Sequence, residues 1–200
     1  MCELYSHAVY LWMHSKTVEL PEEDPVTHDP YTIALPAPAL DLGLPESARD
    51  GGLPGHSWAG ETGPGQSPQL QWGTPPDGAR SLLITAYDAD APIPGGLWHW
   101  VLKDVPAHLT GLPRNAGAAD GALLPTGSVH LPNDLGVRGF NGAQPPAGTG
   151  LHRLFVAVTA LDVEALDVPA GTSTALVHIL AIPHTLARGV TVATAQAPTA

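Results

Sequence analysis

Basic residues and cysteine are scarce in this sequence, and each shortage removes a class of function. Eight Lys and Arg stand against nineteen Asp and Glu, a formal net charge of −11, so the long-range field repels phosphate backbones and anionic membrane surfaces. No nucleic-acid partner is expected. The one cysteine, Cys2, cannot close an internal disulfide, which fits a reducing compartment. Long apolar runs are missing too, so no transmembrane segment is expected. The opening "MCELYSHAVYLWMHSK" lacks a basic n-region, and its apolar stretch, Ala8 to Met13, is short for a signal peptide. The chain therefore reads as soluble and cytoplasmic.

What is abundant is turn chemistry. Twenty-two glycines and twenty-two prolines follow no period and punctuate short apolar runs, the pattern of a turn-rich, mostly β protein. Two hundred residues at 44% hydrophobic suffice for one sizeable core. Residues 1–24 end in "ELPEEDP" and read as an N-terminal extension. A frayed arm is preferred there over a strand packed on a partner chain, although Tyr5, Tyr10 and Trp12 are costly to leave wet. Residues 25–200 form the domain.

Three segments carry the strongest strand signal: "SLLITAYD" (81–88), "LWHWVLKDV" (97–105) and "HRLFVAVTALDV" (152–163). They are β-branched or aromatic-rich and bounded by turn residues. Two stacked sheets are the natural way to cover them. The long loop from Gly43 to Gln66 should lie on the surface. "TSTALVHILAIPHTLARG" (172–189) reads as the C-terminal helix, with Thr172 or Ser173 as N-cap, Leu176, Ile179 and Leu180 on one face, a kink or break at Pro183 and a stop at Gly189.

Side-chain alternation then groups the polar residues at the strand ends. Ile84, Ala86, Asp88 and, if the chain stays extended, Asp90 share one face; Leu97, His99, Val101 and Lys103 share another; His152 opens the face of Leu154, Val156 and Val158. A buried carboxylate or imidazole without a partner is costly, so these groups should find one another. Each also has a plainer role: Asp88 and Asp90 before Pro92 and Pro94 suit turn formation, and His99 suits a satisfied core position. Spacing alone leaves both readings open.

Taken together, "YDADAP" and "WHW", then "NDLGVRGFNGAQPPAGTGLHRLFVAVTALDV", with "DGGLP" and "SPQLQW" upstream, resemble the phosphatidylethanolamine-binding protein family, also called Raf kinase inhibitor-like, in its bacterial branch. The likeness runs from about Asp29 to Val190. It implies a β fold of two antiparallel sheets with short helices beside a small anion pocket. Carried over residue by residue, the pocket is Asp88, Asp90 and Pro92, then His99, then Gly142, Gln144 and His152. In this picture His99 and His152 donate to a phosphate-like oxygen, Asp88 orients a histidine, and Asp90 with Pro92 shapes the turn; Arg153 points away and serves a structural ion pair. Ala89 and Ala143 replace prolines usual in the family, and Leu154 replaces an aromatic.

The implied function is a binding or regulatory protein for a small anion, whether phosphate, a phosphorylated headgroup or a nucleotide. A protein partner such as a kinase, and a homodimer, follow from the same likeness. The alternative is a hydrolase or metal-dependent enzyme using the same Asp and His cluster, but there is no G-x-S-x-G elbow and no H-x-x-x-H or H-x-H spacing. No catalytic residue, metal or cofactor is assigned.

Overall fold

The three apolar segments become the long strands of one antiparallel sheet. In the computed structural model, residues 29–199 are described; the extension assigned to residues 1–24 lies outside them. The strands are β1 (Leu42–Gly43), β2 (Leu70–Trp72), β3 (Ser81–Asp88), β4 (Leu97–Pro106), β5 (Gly111–Leu112), β6 (Val129–His130), β7 (Leu151–Leu161) and β8 (Thr185–Gln196); one helix, α1 (Thr174–Ala181), precedes β8. The large sheet has the order β6-β4-β3-β7-β8 and the small one β1-β2-β5.

β3 lies between β4 and β7, and its even-numbered side chains face the small sheet. Leu82, Ile84 and Ala86 pack there with Leu154, Val156 and Val158 of β7 and with Leu70 and Trp72 of β2. The opposite face carries Leu83, Val101 and Leu161 against Val177 and Ala181 of α1. Cover on both faces explains why β3 tolerates an almost unbroken apolar run. Each fully buried Leu or Ile here contributes about 1.5–3 kcal/mol.

The C-terminal segment departs from the expected helix. α1 ends at Ala181, one 3-10 turn follows over Ile182–His184 with Pro183 inside it, and Thr185–Gln196 is a strand. Proline lacks the N–H and crowds the carbonyl four residues back, so the helix stops where the break was expected. Ser173 takes the N-cap position without a side-chain capping bond. The buried face is Thr174, Val177 and Ala181, while Leu176 and Ile179 are exposed. Gly189 is not a helix stop but a close-approach point, since a Cβ there would lie 2.5 Å from the carbonyl oxygen of Leu40.

The segment from Gly43 to Gln66 is also more than a surface loop. Leu53 belongs to the main core, and the Ser57 side chain is fully buried in a 3-10 turn, Gly55–Ser57. Its far end pairs with the 141–144 loop: Ala143 N donates to Ser57 O at 3.0 Å and Ala59 N to Ala143 O at 2.9 Å. Two loops are thereby fastened beside the ends of β3, β4 and β7.

Candidate functional site

The site begins where β3 ends. Asp88, the last residue of β3, lies opposite Leu154 of β7 and opposite Leu97 of β4, on the face continued by Ala86 and Ile84. His152 shares the face of Leu154 by alternation, and the two side chains meet: His152 Nδ1 and Asp88 Oδ2 are 2.8 Å apart. Both residues are buried. The other carboxylate oxygen, Oδ1, accepts the Asp90 N–H at 2.9 Å.

His99 reaches this face by an irregularity. The β3–β4 register shifts between Ala86, opposite Trp100, and Tyr87, opposite Trp98, so His99 is the extra residue of a β-bulge. The two tryptophans consequently part. Trp98 packs on Tyr87 and on His178 of α1, with ring centroids 4.5 and 4.7 Å apart; Trp100 packs edge-on to Phe140 in the main core. His99 goes with Trp100, its ring 6.5 Å from that of Phe140. Strict alternation had placed His99 with Val101, which faces α1; the bulge overturns that assignment.

The backbone of the 139–141 segment holds His99 in place. Asn141 N donates to His99 O at 2.9 Å, His99 Nδ1 donates to Asn141 O at 2.7 Å, and Asn133 Nδ2 donates to His99 O at 3.0 Å. Only 4% of His99 is exposed, and its Nε2 has no hydrogen-bond partner. Burial pushes its pKa below the ordinary histidine value, against the opposing pull of the Asn141 carbonyl and the Asp88 carboxylate; the charge of His152 adds to the lowering.

His152 is engaged at both nitrogens. Thr149 Oγ1 lies 2.7 Å from Nε2 and donates its own hydrogen to Pro146 O at 2.7 Å. Thr149 is half-buried and ties the Pro-Pro-Ala-Gly-Thr-Gly loop to the imidazole. Sequence reasoning passed over Thr149 and Asn141. The spacing of Thr149, three residues before His152 in a Gly-Thr-Gly turn, was the available signal.

The remaining residues of the sequence-derived set frame the cluster. Asp90 does not continue the face of Asp88, because β3 ends and the chain turns. Its carboxylate accepts from Arg153 N at 2.8 Å, Nε at 2.7 Å and Nη2 at 2.7 Å. Burial alone would raise the Asp90 carboxyl, but the Arg153 hydrogen bonds outweigh it and hold the pKa below the usual carboxylate range. Pro92 is exposed in the turn that follows. Gly142 is buried against the other loop, where a Cβ would lie 2.7 Å from Gly65 Cα and 2.9 Å from Ser57 O. Gln144 is exposed at the rim, its amide lying against Gly60.

Among the described residues, no three His, Cys, Asp or Glu side chains are arranged to hold a metal ion, and no helix is long and apolar enough to cross a membrane. An open hollow between Asp41–Pro45 and Gln71–Gly73 lies on the small sheet and shares no residue with this cluster.

Comparison with known proteins bears on the same segments. The family model described as phosphatidylethanolamine-binding protein matches residues 45–196. The UPF0098 protein YbcL of Escherichia coli is 46% identical over 111 residues, 56% of this chain and 61% of that protein. The UPF0098 protein YbhB of the same organism is 41% identical over 128 residues, covering 64% and 80%. A Mycobacterium tuberculosis protein named "Putative lipoprotein LppC" is 35% identical over 108 residues, covering 54% of this chain and 48% of that one. Among solved structures, the crystal structure of YbcL, titled a new member of the mammalian PEBP family, matches with a TM-score of 0.71 at 36% identity, covering 78% of this chain and 96% of that one.

Proposed function

The chain belongs to the phosphatidylethanolamine-binding protein family, and on that footing we propose that it is a binding protein whose ligand is a small anion held at Asp88, His99 and His152. One observation carries the reading: a buried Asp88–His152 pair stands beside a buried imidazole whose Nε2 has no protein partner. A nitrogen removed from water and left unpaired is costly unless something else supplies its hydrogen bond. Gly142 and Gln144 act by position, bringing the 141–150 loop over the cluster, and Asp90 acts through Arg153 by fixing the turn that carries Asp88. A ligand enters by displacing the Thr149 hydroxyl from His152 Nε2, so the 145–150 loop is the part that yields. Modulation of a kinase or other signalling partner and a homodimer rest on family resemblance, and a cytoplasmic setting rests on the lone cysteine.

Titrating inorganic phosphate into the full chain while following backbone and imidazole resonances tests this. Shifts should concentrate at Asp88, His99, Thr149 and His152. Asp88→Asn should weaken binding by about 10- to 100-fold, the range set by loss of a carboxylate that orients a metal-bound histidine, with the circular dichroism spectrum unchanged. Shifts confined to other surfaces, or wild-type affinity in Asp88→Asn and His99→Ala, would overturn the assignment.

A further inference from the structure

The two imidazoles of the site differ in what they can offer a ligand. His152 has Asp88 on one nitrogen and Thr149 on the other. His99 has only one engaged nitrogen, and its partner is the carbonyl oxygen of Asn141, which accepts and never donates. The hydrogen of a neutral His99 ring therefore sits on Nδ1, and Nε2 presents a lone pair. That lone pair is buried and unmatched.

The surroundings oppose putting a second hydrogen on this ring. Phe140 lies against it, and burial disfavours its charged form, with His152 acting in the same sense; Asp88 and Asp134 are the charged groups that act the other way. These two carboxylates also repel a ligand of high negative charge. An oxyanion without an acidic hydrogen would set its own lone pair against that of Nε2. An oxyanion carrying P–O–H would donate to it.

Resting on the anion-binding reading above, we propose that the site selects an oxyanion that brings its own acidic hydrogen, a phosphate monoester or inorganic phosphate, and that this hydrogen is donated to His99 Nε2. A phosphate monoester, its second pKa being about 6, must take up a proton near neutral pH to present such a hydrogen, whereas inorganic phosphate carries one even as its dianion. Sulfate has none, and neither does the phosphodiester of an intact phospholipid headgroup. Sites built to pair a ligand hydroxyl reject analogues that lack it, because the buried partner is left unmatched.

The test is calorimetric titration of the full chain at pH 6.5 with four probes: inorganic phosphate, phosphoethanolamine, sulfate and glycerophosphoethanolamine. The first two should bind at least about tenfold more tightly than the last two, a modest fraction of the discrimination such sites reach. Phosphoethanolamine binding should show net proton uptake in buffers of different ionisation heat, and its affinity should fall as pH rises. His99→Gln, whose amide can turn to donate or accept, should bring phosphate and sulfate to within about threefold of each other. Wild-type phosphate and sulfate affinities within tenfold, or phosphoethanolamine binding without proton uptake, would overturn the selection while leaving the anion site standing. If none of the four probes moves the Asp88, His99 and His152 resonances, the anion site itself falls, and the selection with it.

Discussion

Acid should loosen this fold through one particular ring, His178. It lies on α1 against Trp98, its Nε2 is buried without a partner, and its pKa is lowered to about 4, by burial first and by the charge of Arg188 second. A histidine depressed in the folded chain binds fewer protons there than in the unfolded chain, so stability rises with pH. Its contribution is present in full above the ordinary value near 6.5 and is lost as pH falls toward 4. At pH 5 the unfolded ring is almost wholly protonated and the folded one about a tenth so, which gives a loss of about 2 kcal/mol relative to neutral pH. His178→Phe keeps an aromatic ring on Trp98 and cannot take up a proton. Urea unfolding followed by tryptophan fluorescence at pH 7.5 and 5.0 should show the wild-type chain losing about 2 kcal/mol more than the variant between the two conditions. The pKa values of His99 and His130 are also lowered by burial, but they act in both proteins and cancel in the difference. Equal losses in the two chains would refute the reasoning.

Two further predictions concern the frame of the site. Gly142→Ala places a methyl 2.7 Å from Gly65 Cα, so the loops must part; the cost should be about 1–3 kcal/mol, read as a fall in Tm, with phosphate affinity falling alongside. Arg153→Ala leaves the Asp90 carboxylate with only a backbone N–H and should cost about 1–3 kcal/mol in urea unfolding, of which Arg153→Lys recovers less than half because an ammonium cannot supply two parallel donors.

The three long strands were legible because Leu, Ile, Val and aromatic residues dominate them and turn residues bound them. His152 was legible for the same reason: β7 is regular from Leu151 to Ala160, so alternation holds from its mouth to its floor. The opposed direction of Arg153 followed as well. β8 was not legible. Its β-branched residues gather only from Val190 onward, while Thr185–Gly189 continues a helical pattern, and the whole segment forms a strand because β7 offers a full-length edge to pair with. Gly189 carries no local mark of its close contact with Leu40. Asp90 shared the face of Asp88 only on condition that the chain stayed extended; β3 ends at Asp88, and the Asp90 carboxylate accepts from Arg153 in the turn. His99 was misplaced because a bulge belongs to a pair of strands and cannot be read from one.

That bulge gives the protein an unusual dependence. A single residue out of step in β4 is what separates a histidine turned toward Asp88 from one turned toward α1. Deleting Trp98 would restore an even ladder there and could leave the sheet standing, yet His99 would then lie opposite Tyr87 and face α1. The placement of His99 hangs on a defect in periodicity, so it can be lost without any loss of the architecture around it.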